Sequence, residues 1–203
     1  FNEDGIMHTG WMQVGNQWKY YSQGTLKIYG KTFVDGEKVT GWLPLGNRWY
    51  YIANDDYMVT GYYKVGNSTY YFDESGLMQT GWFKINGEDY YATSSGAIQA
   101  QWVKSLSNWY YVDVDGKMVT GYQTINGAKY YFASSGLMQK GWFKINGEDY
   151  YAASSGTIQA QWVKSGRNWY YVDTDGKMVT GDYIIDRKVN YFDNQGLWMN
   201  KIN

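Results

Sequence analysis

Pairs of tryptophans seven residues apart are the side chains of this sequence best suited to recognition chemistry. The pairs are Trp11 with Trp18, Trp42 with Trp49, Trp102 with Trp109, and Trp162 with Trp169. An indole face combines negative quadrupole density with apolar surface, so it attracts cations. Aromatic faces arranged around a gap suit a cation or a sugar ring. The elements that carry these pairs must therefore hold them at regular intervals.

Those elements are copies of a twenty-residue repeat. Residues 81–100 read GWFKINGEDYYATSSGAIQA and residues 141–160 read GWFKINGEDYYAASSGTIQA. Repetition at this period predicts one supersecondary unit stacked on itself rather than a fold with one central core. We number the positions 1–20, with Gly41, Gly61 and Gly81 at position 1.

Each repeat is predicted to be a β-hairpin followed by a loop. A short strand leads to an Asn-Gly pair such as Asn86-Gly87, the strongest local hairpin signal. A second strand carries tyrosines at positions 10 and 11, and a polar loop then ends in glycine, as at Gly116. Positions 9 and 11 face one way and position 10 the other. The gap between stacked hairpins should therefore be lined by aromatic side chains from both.

The repeats fall into three classes that recur every sixty residues. Class B is 41–60, 101–120 and 161–180; class C is 61–80, 121–140 and a terminal repeat or cap at 181–203; class A is 81–100 and 141–160. Two explanations remain open: three hairpins per superhelical turn, or duplication of a three-repeat block without geometric meaning. Residues 10–40 are irregular, and residues 27–40 resemble a shortened repeat. We predict a single repeat module over residues 1–203.

The composition supports a repetitive aromatic protein and excludes several functions. The chain has 23 Tyr, 11 Trp and 25 Gly, no Cys and a net charge of −1. A nucleic-acid partner is therefore not expected, nor are disulfides or cysteine-ligated zinc. No apolar run approaches the roughly 20 residues of a membrane span. No signal peptide is recognised, so we expect a mature chain or an excised module.

Three motifs that suggest catalysis or metal binding have simpler explanations. The stretch 113–116 resembles the start of a calcium loop but lacks its closing glutamate, so turn formation explains it. Glu88 and Asp89 point to opposite faces of a strand and cannot act on one bond. His8 is the only histidine. We therefore expect no enzyme activity, no catalytic residues, no metal site and no cofactor.

The strings GWLPLGNRWYY and NWYYVDVDGKMVTG closely resemble the choline-binding repeats of streptococcal surface proteins and phage lysins. The resemblance extends from Gly10 to about Met199. It implies an all-β fold, a left-handed β-solenoid of stacked hairpins with three hairpins per turn. It also implies choline bound between consecutive hairpins by three aromatic residues, often completed by methionine. Such modules hold their proteins on the phosphorylcholine of teichoic or lipoteichoic acids, at the surface of the bacterial cell wall.

Transferred to this chain, the resemblance predicts a set of choline-binding residues. Each site takes a tryptophan pair from one hairpin and a position-10 tyrosine from the next, and Met78 and Met138 are candidates for the floor. In the last repeat position 10 is Asn190, a departure from the pattern, and Tyr191 is the candidate there. No third wall can be assigned to Trp11 and Trp18, because an irregular segment follows. The predicted residues are Trp11, Trp18, Trp42, Trp49, Tyr70, Met78, Trp102, Trp109, Tyr130, Met138, Trp162, Trp169 and Tyr191.

The A and C repeats lack the second tryptophan and are not expected to form full choline sites. Their INGxxYYF pattern is closer to the repeats of glucan-binding proteins and of clostridial toxin receptor-binding regions. Two further functions therefore remain open: a module that binds glucan or host glycans, and a passive spacer. The expected partners are choline-bearing wall polymers and a functional module attached to the N-terminal side, with secretion to the cell surface.

Overall fold

The computed structural model describes residues 7–199, and every regular element in this range is a β-strand. The predicted all-β class and the repeated hairpins of about twenty residues are confirmed. The strands are β1 (Gly10–Val14), β2 (Gln17–Tyr21), β3 (Leu26–Ile28), β4 (Lys31–Phe33), β5 (Gly41–Leu45), β6 (Arg48–Ile52), β7 (Gly61–Val65), β8 (Ser68–Phe72), β9 (Gly81–Ile85), β10 (Glu88–Ala92), β11 (Gln101–Ser105), β12 (Asn108–Val112), β13 (Gly121–Ile125), β14 (Ala128–Phe132), β15 (Gly141–Ile145), β16 (Glu148–Ala152), β17 (Gln161–Ser165), β18 (Asn168–Val172), β19 (Gly181–Ile185), β20 (Lys188–Phe192) and β21 (Trp198–Met199).

Consecutive strands pair into antiparallel hairpins, and β21 adds a third strand beside β20. The register places position 2 opposite position 11 and position 4 opposite position 9, as in Trp162 with Tyr171 and Lys164 with Trp169. Asn146 and Gly147 of one turn have φ angles of 52° and 87°. Both turn residues therefore adopt the left-handed conformation that the Asn-Gly pair predicted.

The most deeply buried side chains lie at position 12, which the sequence patterns did not single out. This position is fully buried in eight repeats, at Ile52, Phe72, Ala92, Val112, Phe132, Ala152, Val172 and Phe192. Position 12 ends the second strand of each hairpin. The core is therefore a row of buried position-12 side chains, one from each of these repeats, as expected of a repeat protein.

Backbone hydrogen bonds join most of the loops to the preceding hairpin. The position-18 amide donates to the position-9 carbonyl of the repeat before it, as from Met138 to Trp109 at 2.9 Å and from Ile158 to Lys129 at 2.8 Å. This bond fixes the position-18 side chain beside position 9 of its neighbour. The stacking therefore follows the backbone and does not depend on which side chain occupies position 9.

The chain divides into two compact units. The first contains Phe1–Gln101 and Val112–Lys117, and the second contains Trp102–Tyr111 and Met118–Asn203. The hydrophobic cluster of the first unit includes Val39, Leu43 and Ile52. The second unit has one cluster around Phe132 and another around Phe192. Each unit therefore has a core of its own.

Residues 10–40 form one repeat whose loop is enlarged by the small hairpin of β3 and β4. The Ser22 amide donates to the Glu37 carbonyl at 2.8 Å, and the Val39 amide donates to the Tyr20 carbonyl at 2.9 Å. The regular repeat 41–60 has the same two bonds, from Ala53 and from Val59. The segment that resembled a shortened repeat is thus an insertion, and the next hairpin in the stack is β5–β6.

Candidate functional site

Tryptophans at positions 2 and 9 of a hairpin stand nearly perpendicular to each other. Their ring centroids are 6.2 Å apart for Trp42 and Trp49, 6.3 Å for the pair Trp102 and Trp109, and 6.4 Å for the pair Trp162 and Trp169. The interplanar angles are 84°, 85° and 85°. Positions 2 and 9 lie on facing strands and on the same side of the hairpin, so each pair forms two walls of an aromatic corner.

In two cases a tyrosine of the next hairpin stands beside the tryptophan pair as a third wall. In the second cage (Trp42, Trp49 and Tyr70) the tyrosine ring lies 4.8 Å from Trp42. In the third cage (Trp102, Trp109 and Tyr130) the corresponding distance is 5.0 Å.

The predicted methionines lie at the same junctions. Met138 lines a cavity of about 430 Å³ with the walls of the third cage, and Lys140 and Ser155 complete the lining. The Met78 amide donates to the Trp49 carbonyl at 2.8 Å, which places this methionine at the second cage. The structure thus brings together the predicted residues of both sites.

The fourth cage differs from the sequence-based expectation in its third wall. A cavity of about 310 Å³ is lined by Trp162, Trp169 and Trp198. The Trp198 ring lies 5.4 Å from Trp162. Its indole nitrogen donates to the Asn190 side-chain oxygen at 3.2 Å, so the residue that replaces the tyrosine orients the substitute ring. Tyr191, the predicted candidate, does not line this cavity.

The first cage acquires a third wall that the sequence did not assign. Trp11, Trp18 and Tyr50 line a cavity of about 320 Å³ together with Met58. The Tyr50 ring lies 5.2 Å from Trp11. Because β3 and β4 belong to a loop, β5–β6 is the hairpin that follows β1–β2. If the insertion of β3 and β4 is left out of the repeat, the sequence alone places Tyr50 in the hairpin that follows Trp11 and Trp18.

Charged groups lie around the cages rather than inside them. The ammonium groups of Lys104 and Lys164 are 5.7 Å and 5.6 Å from the ring centroids of Trp109 and Trp169. Lys140 lines the third cage and Glu74 lines the first. The walls themselves are uncharged aromatic rings, an arrangement that suits a bulky organic cation.

At the corresponding positions of the C repeats, tyrosine hydroxyls form hydrogen bonds that cross the gap to a loop of a later repeat. The Tyr62 hydroxyl donates to the Asp115 carbonyl at 2.9 Å, and the Tyr122 hydroxyl donates to the Asp175 carbonyl at 2.9 Å. Burial, followed by the charge of neighbouring groups, raises the pKa of Tyr62 to about 12. The same causes raise the pKa of Tyr122. Both phenols therefore stay protonated and act as donors at neutral pH.

An A repeat carries an incomplete version of the cage. Trp142 lies 5.3 Å from Tyr170 of the next hairpin. Position 9, however, is Asp149, whose carboxylate pairs with Lys144 at 2.7 Å. One wall of this junction is thus replaced by an ion pair.

The described residues contain neither a metal-ligand cluster nor a membrane-spanning helix. Residues 7–199 contain no cluster of three or more histidine, cysteine or carboxylate side chains placed to hold a metal ion. Asp113 instead accepts hydrogen bonds from the amides of Asp115 and Lys117 at 3.0 Å and 2.9 Å, which is turn geometry. Within the same range there is no helix of the length and apolarity that crossing a bilayer demands.

Comparison with known families gives two matches that follow the repeats. A family described as a choline-binding repeat matches residues 59–101 and 119–160. A family described as a putative cell wall binding repeat matches residues 101–118 and 161–178. Together the matches span residues 59–178 without a gap. The chain therefore belongs to the family of proteins built from choline-binding repeats.

Solved structures of similar fold include two choline-binding proteins. CbpF in complex with ipratropium is 25% identical with a TM-score of 0.66, over 95% of this chain and 86% of that one. The choline-binding domain of CbpL from Streptococcus pneumoniae is 25% identical with a TM-score of 0.60, over 95% and 98%. A comparison with curated protein sequences finds no match.

A longer relative shares the fold. The modular autolysin LytC from Streptococcus pneumoniae is 21% identical with a TM-score of 0.56, over 95% of this chain and 53% of LytC. This chain thus corresponds to about half of that protein. The comparisons place this chain among choline-binding, cell-wall-associated repeat modules.

Proposed function

We propose that this chain is a binding module that anchors its protein, without a covalent bond, to the phosphorylcholine of cell-wall teichoic acids. The observation that carries the proposal is the recurrence of one three-walled aromatic corner at the tryptophan pairs. Three cages with a described cavity are closed by Tyr50, Tyr130 and Trp198. The module acts in binding rather than catalysis, and it works outside the cell after secretion.

The chemistry of the cages fits a quaternary ammonium. Such a group donates no conventional hydrogen bond and therefore needs no polar acceptor in its site. A lining of aromatic faces and a methionine can bind it without leaving a hydrogen bond unmade. Each desolvated wall contributes up to about 2 kcal/mol. After the cost of association, three walls give an affinity on the order of millimolar for a single choline.

Repetition converts this weak affinity into firm attachment. Several cages on one chain facing a polymer that displays many choline groups gain about 10²–10⁴ in avidity. We also propose the left-handed stacking with three hairpins per turn that the family resemblance implies. Hydrogen bonds between residues 53 positions apart, such as Tyr62 to Asp115, support close contact between repeats that are not consecutive.

Retention on a choline or tertiary-amine matrix, followed by elution with free choline, tests the proposal. We expect the full chain to be retained and eluted by choline. A variant in which Trp18, Trp49, Trp109 and Trp169 are alanine should pass through the column. Val189→Ala is the matched control, because it changes position 9 of a hairpin without a tryptophan pair and should be retained normally.

Other outcomes identify the alternatives. Passage of the unaltered chain through the choline column, together with retention on a glucan matrix, would favour the carbohydrate-binding function. Passage through both columns would favour the passive spacer. In either case the teichoic-acid anchor would be rejected, because the binding attributed to the tryptophan pairs would be absent.

A further inference from the structure

The first and third cages share their aromatic lining but differ in the charge at their rims. Each cavity is lined by two tryptophans, a tyrosine and a methionine. The remaining lining residues are Glu74 and Ser75 at the first cage, and Lys140 and Ser155 at the third. One cavity therefore presents a carboxylate beside the aromatic corner and the other presents an ammonium group.

Lys140 is free to meet a ligand. Its side chain is exposed. No salt bridge within residues 7–199 involves it. The same position is Thr60 in the repeat that closes the first cage and Thr80 in the repeat that closes the second. Among the first three cages, a lysine at this position is therefore particular to the third, and the fold does not require it.

A positive rim is at first sight unfavourable for a cage that binds a cation. The conflict disappears when the ligand carries a negative group a short distance from its ammonium. In phosphorylcholine an ethylene bridge separates the trimethylammonium from the phosphate. A phosphomonoester carries about −1.5 to −2 charge at pH 7 and offers strong acceptor oxygens. The ammonium suits the aromatic corner, and the phosphate suits the lysine and the serine hydroxyl.

We propose that Lys140 makes the third cage selective for the phosphorylated form of choline, whereas Glu74 makes the first cage selective for the bare choline cation. This inference rests on the proposed function and divides it between sites. Lys140 and Ser155 receive the phosphate at the third cage. At the first cage the Glu74 carboxylate attracts the ammonium and repels a phosphate.

The expected effect is modest because both rim groups are exposed. Exposed ion pairs change an equilibrium by a factor of up to about five, and salt reduces this factor further. The selectivity therefore has to be measured at low ionic strength. The ratio of the two affinities at one cage is the decisive quantity, because it cancels any general change in the cage itself.

The experiment isolates one cage in the full chain. Trp18→Ala, Trp49→Ala and Trp169→Ala together leave the third cage as the only intact tryptophan pair. Dissociation constants for choline and phosphorylcholine are then measured from indole fluorescence, before and after Lys140→Thr. We expect this substitution to weaken phosphorylcholine binding roughly three- to fivefold and to leave choline binding unchanged or slightly tighter.

Two controls accompany this measurement. Lys104→Gln removes an equal charge from a lysine near the same cage that does not line the cavity, and it should leave the ratio unchanged. In a chain that retains only the first cage, Glu74→Ser should weaken choline and strengthen phosphorylcholine. Serine already occupies this position in repeats 81–100 and 141–160.

The outcomes separate this inference from the proposed function. An unchanged affinity ratio in Lys140→Thr, or an equal change in Lys104→Gln, overturns the selectivity while choline binding stands. Failure of the parent chain to bind choline overturns both. If the triple tryptophan variant does not fold, the same ratio is obtained from the indole N–H signal of Trp109 in the otherwise unaltered chain and in Lys140→Thr.

Discussion

Two neighbouring junctions in the second compact unit use equivalent positions for opposite purposes. At the junction that begins with Trp102, indole rings at positions 2 and 9 stand around a cavity of about 430 Å³. At the junction that begins with Tyr122, the phenol hydroxyl crosses the equivalent gap and donates a hydrogen bond to the Asp175 carbonyl. Lys129 at position 9 forms an ion pair with the Asp175 carboxylate.

The contrast shows that the backbone frame is constant and that the side chains decide its use. The position-18 amide bonds to the position-9 carbonyl at both junctions, from Met138 to Trp109 and from Ile158 to Lys129. Rigid apolar rings without a long polar arm leave the gap accessible. At the other junction, which we call the bridged junction, a tyrosine hydroxyl and a lysine each bind a partner in the loop and cross the gap.

The largest effect is expected from removing either wall of the third cage. Trp102 contacts Trp109, Tyr111, Tyr130 and Phe132. Trp102→Ala should therefore abolish binding at this cage and cost about 3 kcal/mol of unfolding free energy. Trp109→Ala should also abolish binding at this cage but cost about 1 kcal/mol or less. Denaturant unfolding and choline titration measure the two effects, and complete unfolding of Trp109→Ala would show that this ring is core.

The second-largest effect is expected from the glycines at position 16, whose surroundings differ between the two junctions. A Cβ at Gly176, at the bridged junction, would lie 2.8 Å from the Tyr151 carbonyl oxygen, whereas the three atoms nearest to a Cβ at Gly156 all belong to the Met138 side chain, with the sulfur at 2.6 Å. Both have positive φ, of 75° and 87°, which costs an alanine roughly 1–2 kcal/mol.

Gly176→Ala should therefore lose a further 1–3 kcal/mol or so from overpacking against backbone. Gly156→Ala should instead displace Met138 and weaken choline binding at the third cage. Thermal unfolding and choline titration of the two variants separate these effects. Equal destabilisation with unchanged binding would mean that Met138 does not form the cage floor.

The incomplete cage allows a gain-of-function test. Asp149→Trp should complete a third wall beside Trp142 and Tyr170 and add one site with affinity on the order of millimolar. Lys144 opposite position 149 is compatible with tryptophan, since Lys164 already lies opposite Trp169. Calorimetric stoichiometry measures the added site. Lys129→Trp, at the bridged junction, is the control that should add none.

The smallest effect concerns pH. The pKa of Tyr62 is raised to about 12 from its ordinary value of 10.0. Its stabilising contribution is therefore complete below pH 10 and is lost as pH rises through about 12, where the phenol can no longer donate to Asp115. Tyr62→Phe should reduce this alkaline loss of stability, measured by thermal unfolding at increasing pH. An identical alkaline profile in the variant would contradict the assignment.

Much of the fold was predictable because it is encoded locally. Turn pairs such as Asn146-Gly147 require left-handed φ angles, and alternation along a strand sets which side chains share a face. These rules predicted the hairpins and the shared face of Trp102 and Trp109, whereas the assignment of Tyr130 as the third wall came from the family resemblance. They apply wherever the twenty-residue spacing is unbroken.

The predictions were incomplete where that spacing breaks. Loop enlargement by β3 and β4 concealed the closure of the first cage by Tyr50. At the other end, Trp198 enters a cavity because β21 returns beside β20, pairing Trp198 with Phe192. A periodic pattern cannot anticipate a ring delivered by a strand outside the period.

By itself the sequence determined the hairpins, the aromatic faces that they present and the family to which the repeats belong, because each follows from neighbours within one repeat. Only the tertiary structure decided which ring closes each corner and which charge stands at its rim. Those partners come from other repeats, and their proximity depends on how the backbone hydrogen bonds stack one hairpin on the next.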